Sequence, residues 1–400
     1  MKMTSVEVLL VGTPYPHAGG KVWYIIRLNT DEGIYGLGES MPHHIFTSIE
    51  SSYKKLVEDI FDKWYKGKNP FEREKLFKEA YGEICAGHPD ILGLSIVSAF
   101  DTALWDICGK MVDLPVYELL GGKTREKVRV YSYISFGEPD ERVKGNYGAF
   151  WGMPEILCER ATELVNEGFT ALKYDPLEYV QNQKEKRSGS KIFKPYHLTS
   201  EDFKITDKTL SVLTQTIGDE CEIILGTHGQ MTTSAAISYA KLLENYSLLW
   251  FEEPIPYENS KELAKIKKST SIPIATGEHL ATIYEFLRFL EDDAISIAQP
   301  DVGTCGGITQ TKKIASLAES YYVDIAPHVW GGPVLTAAAF QIAMCIPNFI
   351  IMESILKSEN FHSEITTSFM KWKKGYLYPS EESGLGVELD EACIKKYLVK

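Results

Sequence analysis

Short apolar runs, separated by amphipathic stretches of helical length, dominate the chain from Lys127 to Glu353. Such runs predict buried strands, and the stretches between them predict helices. Strands and helices that alternate in this way favour a parallel sheet, and eight repeats favour a closed barrel. The runs are VRVYSYIS, TALKYD, EIILGTHG, LLWFEEP, IPIATGE, AISIAQPD, VDIAPH and NFIIMES.

Six consecutive runs end at positions that recur with steps of 26, 26, 23, 27 and 25 residues. Five of these positions hold a polar side chain able to do acid–base or metal chemistry. Because the carboxyl ends of barrel strands carry the chemistry, we expect a functional site there. The positions are Gly226, Glu252, Glu278, Asp301, His328 and Glu353.

The first part of the chain has a different pattern. Val6–Val11 and Lys21–Asn29 are predicted strands, and the Thr30–Gly33 turn leads on to IYGLGE. Three helical periods then follow, at 48–65, 72–81 and 92–111. We predict an α+β domain over residues 1–125, a barrel domain over 126–356, and a tail over 357–400 that returns to the first domain.

Composition limits the class of function. The formal net charge is -13 over 400 residues, which disfavours a nucleic-acid or anionic-membrane binder but leaves a small acidic substrate possible. The seven cysteines are scattered, as is usual in a reducing compartment. The first apolar run is too short for a signal peptide or a membrane span. We therefore expect a cytoplasmic protein.

Two carboxylates suggest a metal site. Glu252 and Glu278 end neighbouring strands, and converging carboxylates are oxygen ligands suited to Mg²⁺. Strand alternation lets only one residue of the Glu252–Glu253 pair face inward, and the spacing favours Glu252.

Two histidines suggest proton transfer. Asp301 and His328 end adjacent strands, so the carboxylate would orient the imidazole and raise its basicity. His228, on the third strand, would face His328 across the barrel mouth. One histidine would then remove a proton while the other donates one.

Lys173, Asp175 and Glu353 complete the candidate site residues. Lys173 and Asp175 share one face of the second strand. Lys173 either holds a substrate carboxylate, acts as a base, or pairs with a carboxylate inside the barrel. Glu353 either hydrogen-bonds the substrate or has a structural role.

The ordered motifs ALWDICGK, PVYELLGG, FEEP, ATGEH, QPDVGTCGGIT and APH resemble the mandelate racemase/muconate lactonizing branch of the enolase superfamily. The match covers nearly the whole chain. The HG of the third strand, with QPD and APH, is similar to the D-galactonate dehydratase-like sugar-acid dehydratases. The resemblance implies an α/β fold: a modified (β/α)7β TIM-type barrel under an α+β capping domain.

The resemblance also implies a chemistry and a homo-oligomer. Mg²⁺ would bind the substrate carboxylate, His328 would take the α-proton, and His228 would protonate the departing β-hydroxyl. The product would be a 2-keto-3-deoxy sugar acid. Glu353 matches a position that contacts the substrate. His17 and Tyr15, in the region of a capping loop, would help to select the substrate, and Asp175 would lie near it or near the metal.

One position departs from the family. The family places a metal-binding carboxylate two residues before the third-strand histidine, and this chain has Gly226 there. Three explanations are open: water or a nearby group such as Asp175 completes the coordination, His228 moves onto the metal, or the reaction has changed. A sugar-acid dehydratase is the leading hypothesis. The alternatives are an epimerase or cycloisomerase that uses His328 with Lys173, and a catalytically silent ligand-binding protein.

Overall fold

An antiparallel sheet backed by helices begins the chain in the computed structural model, which describes residues 1–14, 17–42, 49–134, 153–177, 195–355, 361–380 and 382–399. Its strands β1 (Met3–Gly12), β2 (Val22–Thr30) and β3 (Tyr35–Ser40) pair in sequence order. The helices are α1 (Glu50–Ile60, continued by a π-helical turn over Phe61–Tyr65), α2 (Arg73–Ile84), α3 (Ile91–Val112) and α4 (Val116–Leu119).

Helix α3 is the core helix of this domain. Asp90 caps its N-terminus by accepting a hydrogen bond from the backbone N–H of Gly93, at 2.6 Å. Gly36 and Gly38 let α3 lie directly on β3, since a Cβ at either position would fall within 2.1 Å of a carbonyl oxygen of the helix. Among the described helices, α3 alone has a length and apolar composition that would suit a membrane span, and 89% of that stretch is buried in the protein.

Eight parallel strands then form a closed ring. They follow one another around the ring in chain order, and the last strand pairs with the first. Backbone hydrogen bonds between Ile325 and residues 348 and 350 join the seventh and eighth strands. The strands are β4 (Val128–Tyr133), β5 (Ala171–Tyr174), β6 (Glu222–Gly226), β7 (Leu248–Glu252), β8 (Ile274–Thr276), β9 (Ile297–Ala298), β10 (Asp324–Ile325) and β11 (Met352–Glu353).

Within the described residues, a helix of eight or more residues follows each of the first seven ring strands, and the chain leaves the ring after β11. The predicted (β/α)7β barrel with an α+β cap is confirmed. The helices are α5 (Pro154–Asn166), α6 (Ser200–Ile217), α7 (Thr233–Leu243), α8 (Ser260–Lys267), α9 (Thr282–Glu291), α10 (Gly307–Glu319) and α11 (Pro333–Cys345).

The tail contacts both parts of the molecule. Strand β14 (Tyr376–Tyr378) pairs antiparallel with β4, and β13 (Lys371–Lys373) pairs with β14, so the tail extends the barrel sheet. It then reaches the cap, where Leu385 N–H donates to buried Asp106 and Val399 N–H donates to the Leu10 carbonyl. The domain boundaries at residues 125 and 356 stay predictions. The tail comprises α12 (Phe361–Glu364), β12 (Thr366–Ser368), β13 (Lys371–Lys373), β14 (Tyr376–Tyr378), β15 (Glu388–Leu389) and α13 (Glu391–Tyr397).

Glu39, at the end of β3, fixes the cap to the barrel. Its buried carboxylate accepts hydrogen bonds from the backbone N–H groups of Gly332 and Leu335, at the start of α11. The first N–H groups of a helix have no partner within the helix and favour negative charge. The cap thereby holds the loop that follows His328.

We expect Glu39→Ala to lower the free energy of unfolding by about 1–3 kcal/mol, because two backbone donors would be left unpaired in a buried position. Denaturant titration followed by circular dichroism measures this. Glu83→Ala is the matched control, since Glu83 is exposed on α2, and its effect should stay within about 0.5 kcal/mol. Equal stability of the two variants would contradict the role of Glu39.

Candidate active site

The barrel interior is built in layers. The deepest apolar layer takes one side chain from each strand segment, and the next inward-facing residue on a strand lies two positions further on. That second layer is polar and contains Lys173, Glu252, Gln299, His328 and Glu353, with Gly226 among them. The apolar layer is Tyr131, Ala171, Ile224, Trp250, Ala275, Ile297, Ala326 and Ile351.

Lys173 forms a buried ion pair with Glu252. Lys173 Nζ donates to Glu252 Oε1, and neither side chain is more than 1% exposed. The other oxygen, Glu252 Oε2, accepts from Trp250 Nε1 at 2.9 Å and from Gln299 Nε2 at 2.6 Å. Burial favours the neutral amine, but the Glu252 charge outweighs this and holds the pKa of Lys173 well above its ordinary value.

Gly226 gives Lys173 its path to Glu252. A Cβ built at position 226 would lie 2.8 Å from Cε of Lys173, so the lysine side chain fills the space that a residue 226 side chain would need. Gly226 pairs directly with Glu252 in the β6–β7 ladder. The space that the family's carboxylate at position 226 would need is therefore filled by the aliphatic part of the Lys173 side chain.

Glu253 and His279 join Glu278 at the barrel mouth. The donor atoms of these three side chains lie within 4.8 Å of one another. The φ angle of Glu253 is 43°, so the backbone leaves the strand there and strand alternation no longer applies. Glu252 and Glu253 are both buried, and Glu253 Oε1 accepts a hydrogen bond from Thr276 Oγ1 at 2.9 Å beside His279. That only Glu252 faces into the barrel stays a prediction.

The electrostatics of this trio follow from its burial. Burial opposes charge on Glu253, but the imidazole of His279, with Nδ1 at 3.4 Å, outweighs it and lowers the pKa of Glu253. Burial and the Glu253 charge raise the pKa of Glu278. Although burial opposes protonation of His279, Glu253 raises its pKa to about 9.

His328 and Asp301 form the predicted pair. His328 Nδ1 donates to Asp301 Oδ2 at 2.7 Å, and Asp301 Oδ1 accepts from the backbone N–H of Gly303 at 2.7 Å. His328 Nε2 lies 3.6 Å from Glu278 and 3.5 Å from Glu353. Burial lowers the pKa of His328, but these carboxylates, with Glu278 contributing most, raise it to about 10.

His228 forms a second pair of the same kind. His228 Nδ1 donates to Asp175 Oδ2 at 2.7 Å, and Asp175 Oδ1 accepts from the backbone N–H of Leu177. The side chain of His228 is 40% exposed, while Asp175 is buried. The backbone φ of His228 is 46°. Loss of solvent around the ring at the barrel mouth disfavours its protonated form. The charge of Asp175 outweighs this effect and raises the pKa of His228 to about 10.

Glu353 lies within the polar layer, whereas His17 lies in a loop of the cap. Glu353 is enclosed, accepts from the backbone N–H of Val329 at 2.9 Å, and lies 3.5 Å from Lys173 Nζ. His17 turns its ring back onto Thr13, while Gly19 of the same loop packs against Gly331, beyond His328. Tyr15 lies outside the described residues.

The predicted metal ligands Glu252 and Glu278, with Gly226 at the family's third position, fit a metal poorly. Position 226 has no donor, and both oxygens of Glu252 already accept hydrogen bonds from Lys173, Trp250 and Gln299. Two positions after inward-facing Trp250 is Glu252, but two positions after inward-facing Ala275 is Gly277. Glu278 is thus one position beyond the residue that corresponds to Glu252. We therefore derive no step through an ion bound by the Glu252–Glu278 pair.

Three roles were missed in the sequence. Asp175 is the hydrogen-bond partner of His228, and two further side chains, Glu253 and His279, belong to the mouth. The sequence does contain a signal for His279, which directly follows the candidate ligand Glu278 in ATGEH. The left-handed backbone at Glu253 has no comparable signal, since a glutamate is not expected there.

A cap over a (β/α)7β barrel, with two His–Asp pairs and a cluster of carboxylates at its mouth, defines an acid–base enzyme of the enolase type. The chain belongs to the mandelate racemase/muconate lactonizing branch of that superfamily. The Enolase C-terminal domain-like model matches residues 157–393, and the Mandelate racemase / muconate lactonizing enzyme N-terminal domain model matches residues 17–121.

Individual relatives cover nearly all of the chain. A D-xylonate dehydratase of Haloferax volcanii is 28% identical over 100% of this chain and 89% of its own length. A D-galactonate dehydratase of Cronobacter sakazakii is 29% identical over 92% and 89%. The structure of a mandelate racemase/muconate lactonizing enzyme from Sulfitobacter sp. is 34% identical over 100% and 96%, with a TM-score of 0.88. These relatives confirm the predicted family, and the two named dehydratases support a carbon–oxygen lyase.

We expect Lys173→Met to lower the free energy of unfolding by about 3–5 kcal/mol, because it leaves the Glu252 charge buried without a counterion. The double variant Lys173→Met/Glu252→Gln should recover most of the loss, since the buried charge is then gone as well. Denaturant titration in the presence of EDTA measures both variants. Equal losses in the single and double variants would show that the ion pair is not the cause.

Proposed function

We propose that the chain is a dehydratase of a sugar acid, an aldonate or aldarate, that forms a 2-keto-3-deoxy acid. The observation that carries the proposal is the pair of histidines at one barrel mouth, each with its Nδ1 held by a carboxylate at 2.7 Å. Such a pair suits a reaction in which one proton is removed and another is donated. The named activities of the dehydratase relatives support the same reaction class.

His328 is the base in this proposal. Asp301 holds its Nδ1, which leaves Nε2 to take the proton from the carbon next to the substrate carboxylate. The imidazole must be neutral to do so, although Glu278 and Glu353 favour its protonated form. A cation beside these carboxylates would offset their charge and favour the neutral imidazole, and Mg²⁺ is the ion that the family implies.

His228 is the acid. Asp175 holds its Nδ1 and favours the protonated ring, so Nε2 carries a proton that it can give to the departing β-hydroxyl. The C–O bond breaks and the hydroxyl leaves as water, while the electrons of the broken C–H bond form the C=C bond of an enol. The enol then takes a proton at C3 and releases its hydroxyl proton from the oxygen at C2, which gives the 2-keto acid.

The alternatives have less support. An epimerase that uses Lys173 needs the ammonium to reach the substrate, but Lys173 is fully enclosed and paired with Glu252. A silent ligand-binding protein has no need for two oriented His–Asp pairs. A homo-oligomeric state, a cytoplasmic location and the substrate-selecting role of His17 remain predictions.

A panel of hexonates, pentonates and hexarates tests the proposal. With a divalent cation present, we expect at least one substrate to yield a 2-keto-3-deoxy acid, detected by the semicarbazide assay. EDTA should stop the reaction, and added cation should restore it. Deuterium exchange at the α-carbon without dehydration of any substrate would favour epimerisation, and neither signal would favour the silent ligand-binding protein.

A hydrogen–deuterium exchange experiment should distinguish the roles of the two histidines. In D₂O, His228→Asn should still exchange the α-proton of the substrate while dehydration falls by about 10²–10⁴-fold, because only the acid is removed. His328→Asn should lose both signals. Proton NMR of the remaining substrate measures exchange, and Asp175→Asn and Asp301→Asn should each resemble the variant of the histidine they hold. Loss of exchange in His228→Asn would contradict these roles.

A further inference from the structure

The barrel mouth contains more carboxylates than the positively charged side chains of the described residues can neutralise. Its carboxylates are all buried, and the ion pairs described for them involve one lysine and three histidines. Buried carboxylates need pairing or a metal ion, and a sugar-acid substrate would add another negative charge. The six carboxylates are Asp175, Glu252, Glu253, Glu278, Asp301 and Glu353.

Glu278 is the carboxylate with the least compensation. It is 8% exposed, yet it accepts no hydrogen bond from any side chain or backbone group in the described part of the chain. The nearest charged groups are imidazole nitrogens of His279 and His328, each at 3.6 Å. A buried carboxylate in this condition is costly unless a ligand completes its surroundings.

Two further donors face Glu278. The carboxylate of Glu253 and the imidazole of His279 lie with it inside a 4.8 Å span, which is short enough for one ion to touch all three. The ring of Tyr257 stacks on His279 with 5.1 Å between ring centroids and 3° between planes, so the imidazole is held in place. Glu252 is less available to an ion, because Lys173 Nζ already donates a hydrogen bond to its Oε1.

We propose that Glu253, Glu278 and His279 form the divalent-cation site of this chain, and that Lys173 takes the place of a cation at the predicted site around position 226. The ion thus lies above the Lys173–Glu252 pair instead of within it. This proposal concerns metal binding and holds or fails independently of whether the chain dehydrates a sugar acid.

The donor set also indicates which ion is preferred. Mg²⁺ prefers oxygen ligands only, while an imidazole nitrogen favours transition-metal ions. A site with two carboxylates and one imidazole should therefore bind Mn²⁺ more tightly than Mg²⁺. His279→Gln should narrow that difference, because the nitrogen ligand is lost.

Mn²⁺ alone, added to the full-length protein without substrate, tests the site. Titration calorimetry should show one Mn²⁺ per chain in the wild-type protein, and pulsed electron paramagnetic resonance should detect coupling of the bound Mn²⁺ to an imidazole ¹⁴N. Glu253→Gln and His279→Gln should each weaken binding by about tenfold or more, and His279→Gln should remove the ¹⁴N signal. His328→Asn is the control for the other nearby imidazole and should keep the signal.

The predicted site around Glu252 gives the opposite pattern. The variant Lys173→Met/Glu252→Gln, which removes both members of the ion pair, should keep the Mn²⁺ affinity if the proposal is correct. Marked weakening in that variant, combined with normal binding in Glu253→Gln, would overturn it. Wild-type protein that binds no Mn²⁺, or binds it without ¹⁴N coupling, would overturn it as well, whatever the stability of the variants.

Discussion

The buried ion pair between Lys173 and Glu252 determines the arrangement of the whole site. It lies in the polar layer directly above the apolar floor of the barrel, where an uncompensated charge would be unfavourable. The pair leaves Glu252 without a free oxygen, because Trp250 and Gln299 complete its hydrogen bonds. The side chains that remain for a ligand at the barrel mouth are consequently the two His–Asp pairs and the trio of Glu253, Glu278 and His279.

The cap and the barrel contribute to the site in different ways. The barrel strands supply the imidazoles and their partners Asp175 and Asp301. The cap supplies Glu39, which holds the start of α11 and with it the loop beyond His328. The site is therefore supported from two sides, although both His–Asp pairs come from the barrel.

Much of the fold could be predicted because it depends on periodicity. Eight apolar runs at a regular spacing specify a barrel, and the same spacing located Asp301 beside His328. The ligands of the proposed metal site could not be found in this way, since regular spacing does not reveal where a backbone leaves the strand. At Glu253, with a φ of 43°, the chain leaves the extended conformation, and the side chain lies beside Glu278 and His279. The path of Lys173 over Gly226 is likewise a three-dimensional fact, because these residues lie on different strands.

The close fit of Lys173 over Gly226 has an evolutionary consequence. A carboxylate gained at position 226 would meet the lysine stem before it could meet a metal, and a lysine lost first would leave Glu252 as a buried, unpaired charge. Each single step between the two arrangements is thus unfavourable although both end states are reasonable. Positions 173 and 226 should change together in descendants of this chain. The Lys173 side chain constrains position 226 to glycine, because any larger side chain would meet it.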